Sequence, residues 1–446
     1  MIIRRFVSVI IIIALVVLDQ TFSFSKLETP SVPFDNSIKA VSHRISNKLS
    51  ESEQTQKADY ILNRFLKKWE VAGATVAIVK DGKLVYAKGY GYANVEDEKG
   101  VEPSNLFRIA SVSKLITATA IMKLQEEGKL HLDDFVFGEH GILNDTIYSH
   151  IKDSRSKRIK VEHLLRHSAG YTSKYGDPMF VPLAIAKKMN VEAPIDAQTS
   201  IQFALSRRLN FTPGTRGSYS NLGYVILEKV IEKLAEEPYE DYVQSHVLHP
   251  SGIFDMHLGR SLQKDHFTNE VNYYEQSNAV KISAFDGSGK TVFKSNGGNN
   301  LEALGGAGAW VASAAELIKF MLSIDGDDTH PDILSRKSIK YMTTPNKLGR
   351  SPIGWMGTRA NGTWWRTGSL AGTSALLKHQ ANGLSYVIIT NSSTWRGSDF
   401  TKDLSLVMSR FIRSVKQWPD HDLFYHFEAR PEIIALDKLP IYEDWS

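Results

Sequence analysis

The chain has 446 residues, of which 42% are hydrophobic and 23% are charged, and this composition is typical of a globular protein with a substantial core. Its formal net charge is +4 and its basic residues form no long block, which argues against a nucleic-acid-binding surface. The absence of cysteine excludes thiol catalysis, disulfides, cysteine zinc sites and a lipidated cysteine anchor.

The first 25 residues are predicted to be a secretory signal peptide. Arg4 and Arg5 precede a largely apolar run over residues 6–18, and the small residues Ser23 and Ser25 follow it. A membrane-spanning helix needs about 20 apolar residues, so the run favours a cleaved signal over a permanent anchor. We therefore expect a secreted or periplasmic protein that is tethered to a membrane only if this segment stays uncleaved.

A linker, a helix and a hairpin are predicted next. Residues 26–55 are polar with little periodicity, which indicates a linker, and a helical pattern begins near its end and runs to Trp69. Residues 75–79 and 84–87 are mostly apolar and lie on either side of Asp81-Gly82. This pattern predicts a tight β-hairpin.

Ser111 and Lys114 stand at the start of the next predicted helix, which runs to about Glu127 and ends at Gly128. Positions i and i+3 share a helix face, so the lysine amine can reach the serine hydroxyl. A serine nucleophile needs such a base, and a lysine serves where burial or positive charge lowers its pKa. The same four-residue pattern also begins at four other serines: Ser23, Ser149, Ser154 and Ser261. The helix behind Ser111 distinguishes that copy.

A second motif, Tyr219-Ser220-Asn221, lies on a predicted turn before a helical apolar run. A tyrosine held near Lys114 could have its phenol pKa lowered and carry a proton to a leaving group. Asn221 offers an amide that could hold a substrate carbonyl and contact the lysine. Taken alone, a tyrosine at such a turn is more often a packing residue.

Three further patterns are interpreted as structural. Residues 284–291 resemble a phosphate-binding loop but begin with Ala284 and lead into a predicted hairpin, so we expect no nucleotide partner. His163 and His167 are four residues apart without a recognisable third ligand, so we predict no metal site. Ser313 and Glu316 predict a capping box for a helix through residue 322.

Strand character returns at residues 364–365, 374–378 and 384–390, and an amphipathic helix is predicted over 400–416. Arg366-Thr367-Gly368 falls on the first of these strands. A cation, a hydroxyl and a glycine on an edge strand are suited to binding a substrate carboxylate while the substrate backbone lies close to the strand.

Strands at both ends of the chain predict an α/β (α+β) fold. One antiparallel sheet is built from the N- and C-terminal segments and flanked by helices, and an all-helical lobe is inserted between them. We predict one domain over residues 56–418, followed by a tail over 419–446. Its α/β lobe covers about 56–130 and 360–418, and its helical lobe about 131–355. A site is expected in the cleft between the lobes.

Together these motifs resemble those of the penicillin-recognising serine hydrolases, which include class C β-lactamases, D-alanyl-D-alanine peptidases and related esterases. That superfamily joins Ser-x-x-Lys to Ser-Asp-Asn and Lys-Thr-Gly motifs. Tyr219-Ser220-Asn221 looks like the tyrosine version of the class C branch, and Arg366 stands where lysine or histidine is usual. Four other stretches between about residues 56 and 415 also match the branch: 106–110, 128–134, 163–170 and 306–308.

The resemblance implies a role for each motif residue. Ser111 would be the acylated nucleophile, Lys114 its proton acceptor and Tyr219 the general acid and base. Substrate binding would fall to residues of the two partner motifs: Asn221, Arg366, Thr367 and Gly368. The backbone N–H groups of Ser111 and Ser369 would form the oxyanion hole. Arginine keeps the positive charge of the usual lysine but is bulkier and cannot lose its proton.

We therefore expect an exported serine hydrolase that forms an acyl-enzyme at Ser111, without a cofactor or metal. Its partner would be a small-molecule or peptide substrate: a D-amino-acid peptide, a β-lactam or a small ester. The alternative is a binding module of the same fold that traps penicillin or cell-wall peptide without turnover. The unusual residue Arg366 is the observation that favours this alternative. A third hypothesis, a membrane-tethered scaffold, is supported only by the apolar N-terminal run.

Overall fold

The structure is a computed structural model that describes residues 40–174, 176–345 and 351–426. The predicted signal peptide over residues 1–25 lies outside these ranges, as do residues 26–39 of the predicted linker and residues 427–446 of the predicted tail. Within the described ranges, every helix is too short or too polar to cross a bilayer.

The strands of the described residues are numbered in chain order. They are β1 (Gly73–Lys80), β2 (Lys83–Asn94), β3 (Lys99–Gly100), β4 (Phe107–Arg108), β5 (Met256–Leu258), β6 (Ile282–Ser283), β7 (Thr291–Val292), β8 (Trp310–Ala312), β9 (Gly357–Thr358), β10 (Trp364–Leu370), β11 (Thr373–His379) and β12 (Leu384–Thr390).

The α-helices are numbered in the same way. They are α1 (Gln56–Lys68), α2 (Ser113–Glu126), α3 (Val161–Leu165), α4 (Pro182–Met189), α5 (Ala197–Leu205), α6 (Leu222–Ala235), α7 (Tyr239–Val243), α8 (Leu301–Leu304), α9 (Ala314–Leu322), α10 (Arg336–Thr343) and α11 (Phe400–Ser414). Short 3₁₀ turns connect several of them.

The main sheet joins the two ends of the domain. Its seven strands are antiparallel in the order β3-β2-β1-β12-β11-β10-β9, and Ala77 of β1 faces Val387 of β12. Strands β1 and β12 are mostly apolar and are buried along nearly all of their length, because both faces of the sheet are covered. Val76 and Ile78 pack against α1 and α11, whereas the alternate residues pack on a second core that includes α9. This arrangement confirms the predicted fold class.

The regular elements of the region between β4 and β9 are mainly helices, as predicted for about 131–355, and short strands also occur there. β4, β8 and β5 form a three-stranded sheet, and β6 and β7 form the hairpin expected around residues 284–291. Strands of two or three residues are too short for alternation to reveal them in the sequence. Helix α2, which the sequence assigned to the α/β lobe, also lies between β4 and β9 and is buried on nearly every side from Ser113 to Met122.

Residues 40–50 differ from the predicted linker. They form two 3₁₀ turns, and Ala40, Val41 and Ile45 are fully buried. The backbone N–H of Val41 donates to the carboxylate of Glu316 at 2.8 Å, and Phe254 donates to the same carboxylate at 2.9 Å. Three isolated apolar residues in a polar stretch carry no periodic signal, so the sequence did not reveal that this segment packs on the core.

The Glu316 carboxylate therefore does not complete the capping box that the sequence predicted. The Ser313 hydroxyl accepts from the Glu316 N–H at 3.1 Å, which confirms the forward half of the motif. The reverse half is replaced by contacts to two distant backbone groups, because a buried carboxylate must find donors wherever the fold supplies them.

The beginning of the predicted tail packs on the domain. Leu423 and Phe424 are buried, and the Leu423 N–H donates to the carbonyl of Leu84 at 2.9 Å. Arg44 donates to the carbonyl of Phe424 at 3.1 Å, so this stretch also contacts the 3₁₀ turns over residues 40–50.

Candidate active site

Ser111 lies in a 3₁₀ turn, Ala110–Val112, that leads directly into α2. Ala110 has a φ of +46°, a conformation that costs energy for a residue with a Cβ and that often marks a functional turn. The turn is fixed from several directions: Ile109 donates to the carbonyl of Trp310 at 3.0 Å, and the Ser113 hydroxyl donates to the carbonyl of Ala110 at 2.6 Å. The Ser111 side chain therefore projects from a rigid support.

Two distant segments meet at the Ser111 hydroxyl, and a third segment contacts Lys114. Lys114 Nζ lies 3.2 Å from Ser111 Oγ, and the Tyr219 hydroxyl lies 2.7 Å from the same atom. Lys114 Nζ also donates to Asn221 Oδ1 at 2.6 Å and to the carbonyl of Ala307. The structure thus brings together the serine, lysine, tyrosine and asparagine that the sequence singled out.

Burial and charge shift the titration of both partners of the serine. Burial lowers the pKa of Lys114, and the charge of Arg366 lowers it further, although Tyr219 opposes them. Burial raises the pKa of Tyr219, but Lys114 and Arg366 outweigh burial and lower that pKa to about 8. Lys114 Nζ also lies 5.0 Å from the centroid of the tyrosine ring. Each group is therefore closer to proton exchange near neutral pH than it would be in water.

The guanidinium of Arg366 binds two groups of the site itself, and the carboxylate-binding role that the sequence suggested stays a prediction. Its Nε donates to the carbonyl of Ser111 at 2.7 Å, and Nη2 donates to the Tyr219 hydroxyl at 3.3 Å. The residue is only 1% exposed. Its length lets it pass from β10 beneath the nucleophile's turn.

The rest of this strand motif lies against the same turn. A Cβ on Gly368 would collide with the carbonyl oxygen of Ile109 and lie 3.1 Å from the Ser111 nitrogen, so the strand approaches this closely only with glycine. Thr367 and Ser369 line the cavity next to Ser111. The oxyanion hole formed by the Ser111 and Ser369 N–H groups stays a prediction.

A cavity of about 270 Å³ opens beside Ser111. Strand β10 contributes one side, and turns of the helical region contribute the other. Its lining combines the site residues with apolar side chains and a few small polar ones: Ala110, Ser111, Phe180, Tyr219, Asn221, Leu304, Ala307, Gly308, Met356, Arg366, Thr367, Ser369, Leu370, Ser398 and Thr401. Its size and composition suit a small acyl substrate.

Sequence reasoning did not identify two residues behind the site. Asp177 accepts from Asn221 Nδ2 at 2.7 Å and so fixes the amide with its oxygen toward Lys114. The His167 ring lies 4.5 Å from the Tyr219 ring, and its Nδ1 accepts from the Ser220 N–H at 3.3 Å. The sequence placed His167 in the family-like stretch 163–170 and weighed it as a metal ligand, but predicted no contact with Tyr219. No local pattern marks Asp177.

Metal-ligand candidates in the described residues lie elsewhere. Asp325, Asp327 and His379 place one ligand atom each within 4.8 Å of one another, and none of them lines the cavity beside Ser111. Carboxylates often lie this close without an ion, so we assign no metal to this cluster. Nδ1 of His163 accepts from the Lys160 N–H at 3.2 Å, which agrees with the structural role predicted for this histidine.

Several solved structures share this fold. An octameric penicillin-binding protein homologue from Pyrococcus abyssi aligns with a TM-score of 0.59 and 24% identity, over 83% of this chain and 78% of its own. A D-amino acid amidase from Ochrobactrum anthropi SV3 aligns with a TM-score of 0.63 and 21% identity, over 82% of this chain and 99% of its own. At these identities the likeness establishes the fold.

Curated relatives match by sequence. The putative penicillin-binding protein PbpX of Bacillus subtilis (strain 168) is 25% identical over 364 residues, which are 81% of each chain. Protein flp of Staphylococcus aureus (strain MW2) is 28% identical over 234 residues, which are 51% of this chain and 41% of the relative. This chain therefore covers about two fifths of the flp length.

The family model described as Beta-lactamase matches residues 61–407. This range contains Ser111, Tyr219, Arg366 and the other candidate residues, together with all seven strands of the main sheet. The chain belongs to the Beta-lactamase family.

Proposed function

We propose that this protein is a serine hydrolase that forms a covalent acyl-enzyme at Ser111 and releases the acid with water. One observation carries the proposal: the Ser111 hydroxyl is within hydrogen-bond reach of both Tyr219 and Lys114 and lines a substrate-sized cavity. A serine activated by adjacent proton-accepting groups is the requirement for nucleophilic acyl transfer.

Tyr219 is the better candidate for the base that takes the serine proton. A lysine ammonium has three N–H donors and no acceptor, and Lys114 Nζ contacts three oxygens, those of Ser111, Asn221 and Ala307. This set matches a charged lysine. The charge stabilises the phenolate of Tyr219, whose pKa of about 8 leaves a useful fraction of base near neutral pH. We therefore propose that Tyr219 accepts the serine proton, in place of Lys114.

The reaction then follows two acyl transfers. The phenolate of Tyr219 removes the hydroxyl proton as Ser111 Oγ bonds to the substrate carbonyl carbon. The bond to the leaving group breaks, and the tyrosine hydroxyl returns the proton to that group. Water attacks the acyl-enzyme with Tyr219 again as base, which regenerates Ser111. The N–H groups of Ser111 and Ser369 are proposed to bind the oxyanion, and each such donor contributes on the order of 10²–10³ in rate.

The candidate substrates are D-amino-acid peptides and amides, β-lactams and small esters. The D-amino acid amidase fold supports amides, and EstCE1, a hydrolase with promiscuous acyltransferase activity that aligns with a TM-score of 0.63 and 18% identity, supports esters. The PbpX relative supports penicillins. Export is part of the proposal and rests on the apolar run over residues 6–18.

The proposal is tested with three probes on the purified protein: a fluorescent penicillin, a chromogenic cephalosporin and a short-chain nitrophenyl ester. We expect turnover of at least one probe and none in Ser111→Ala. A stable label on the wild type without turnover would instead favour the binding module. Neither label nor turnover, in a protein with an intact thermal unfolding transition, would contradict the hydrolase proposal.

A further inference from the structure

We infer that Arg366 is a positioning residue for the Tyr219 phenolate and not an anchor for a substrate carboxylate, so that the site takes neutral esters or amides. The inference rests on the proposed function and specifies its substrate class. It concerns the position where the wider resemblance led us to expect a cation that binds the acidic group of a substrate.

The hydrogen-bonding edge of Arg366 that best receives a carboxylate is already occupied. A carboxylate binds a guanidinium through two parallel N–H donors on one edge. On the Nε and Nη2 edge, one donor binds the Ser111 carbonyl at 2.7 Å and the other binds the Tyr219 hydroxyl at 3.3 Å. With 1% of the residue exposed, the opposite edge presents almost no surface to a ligand.

The positive charge of Arg366 is also balanced by a group of the protein, the phenolate of Tyr219. When Tyr219 ionises, its phenolate lies against the guanidinium and the Lys114 ammonium. A substrate carboxylate would compete with the phenolate for the same cation, and it would disfavour the ionised state that catalysis needs. The Asp177 carboxylate, bound to Asn221, adds a further negative charge behind the site.

The cavity lining contains few other groups that could bind a carboxylate. Among the described residues that line it, Arg366 is the one cation, and most of the large side chains are apolar: Phe180, Leu304, Met356 and Leu370. The exposed Lys294 lies with Nζ 5.7 Å from the centroid of the Phe180 ring, at the edge of this lining. Desolvating an unpaired carboxylate in such a site is unfavourable, whereas a neutral ester or amide loses little.

A matched pair of substrates tests this inference. Phenyl N-acetylglycinate and its 3-carboxyphenyl analogue share one acyl group and differ only in a carboxylate on the leaving group. For the wild type we expect kcat/KM for the neutral ester to exceed that for the charged ester at least tenfold. Equal values or a preference for the charged ester would overturn the inference while leaving the acyl-enzyme proposal intact.

The variant Arg366→Lys supplies the second readout. A lysine is shorter and has no planar fork, so it cannot hold the Ser111 carbonyl and the Tyr219 hydroxyl in the same way. We expect the preference for the neutral ester to shrink at least tenfold, and the midpoint of the rising limb of the pH–kcat/KM profile to move upward. An unchanged ratio with an unchanged midpoint would contradict a positioning role.

Lys294→Gln is the matched control, because it removes a cation near the cavity but outside the hydrogen-bonded site. We expect its ester ratio to equal that of the wild type. A fall in activity toward the charged ester alone would identify Lys294 as a carboxylate anchor and overturn the inference. Failure of the wild type to hydrolyse either ester or to form an adduct would instead refute the proposed function, and this inference with it.

Discussion

Two of the five copies of the Ser-x-x-Lys pattern, those at Ser111 and Ser154, begin in short 3₁₀ turns. The first continues into the buried helix α2, and its Lys114 is fully buried against three oxygens. In the second, Ser154 and Lys157 are both exposed. The pattern provides only the reach between hydroxyl and amine. The surrounding burial and the charges from other segments provide the shifted pKa values on which reactivity depends.

The largest expected effect separates these two serines. Ser111→Ala should reduce kcat by on the order of 10⁶, because removal of a serine nucleophile has an effect of this size in other hydrolases. Ser154→Ala is the matched control and should leave kcat and KM unchanged. Steady-state kinetics on the best probe of the panel measures both. Equal losses in the two variants would break the comparison.

Tyr219→Phe should have the next largest effect. The substitution removes the proton carrier and keeps the ring, so we expect kcat/KM to fall by roughly 10²–10⁴. Tyr224→Phe is the control, because its hydroxyl donates to the carbonyl of Leu165 at 2.9 Å instead of to Ser111. That variant should lose stability and not activity. Full activity in Tyr219→Phe would remove the tyrosine from the mechanism.

Gly368→Ala sharpens the account of how β10 supports the turn at Ser111. The added methyl group must displace either the strand or the carbonyl of Ile109. A misplacement of about 1 Å can cost on the order of 10²-fold in rate, and we expect a loss of this size in kcat. Gly362→Ala changes a glycine in a surface turn before the same strand and serves as the control for stability. Unaltered kinetics in Gly368→Ala would contradict the close approach.

The smallest expected effect is the pH dependence. The active form has Tyr219 deprotonated, and its pKa is lowered to about 8, so kcat/KM should rise with pH and at pH 7 be about a tenth of its plateau. Burial, Arg366 and Lys114 hold the pKa of His167 well below its usual range, so this histidine should add no inflection near pH 6.5. A limb centred near 6.5 that disappears in His167→Gln would contradict this assignment.

The sequence predicted those elements whose pattern is regular. β12 was predicted to the residue over 384–390 because a run rich in β-branched and aromatic residues that follows an Asn-Gly turn is typical of a strand. The helix beginning at residue 400 was predicted two residues too long. Residues 40–50 were wrongly placed in the linker, because their contacts depend on partners such as Glu316 more than 200 positions away.

The site residues also differ in whether the sequence could predict their positions. The meeting of Ser111, Lys114 and Tyr219 followed from motif order and the family resemblance, and the structure confirms their proximity. The inward direction of Arg366 could not be predicted, since it depends on the distance between β10 and the turn at Ser111. Asp177 was missed because its role is defined only by the amide it contacts.

The central claim is that the Ser111 hydroxyl, activated by its buried partners, becomes acylated. Intact-protein mass spectrometry on rapidly quenched reactions, followed by peptide mapping, tests this directly. With a slowly hydrolysed nitrophenyl ester, we predict a transient mass increase of one acyl group on the peptide that contains Ser111, absent in Ser111→Ala. Turnover without this adduct, or an adduct that maps to another residue, would contradict the account.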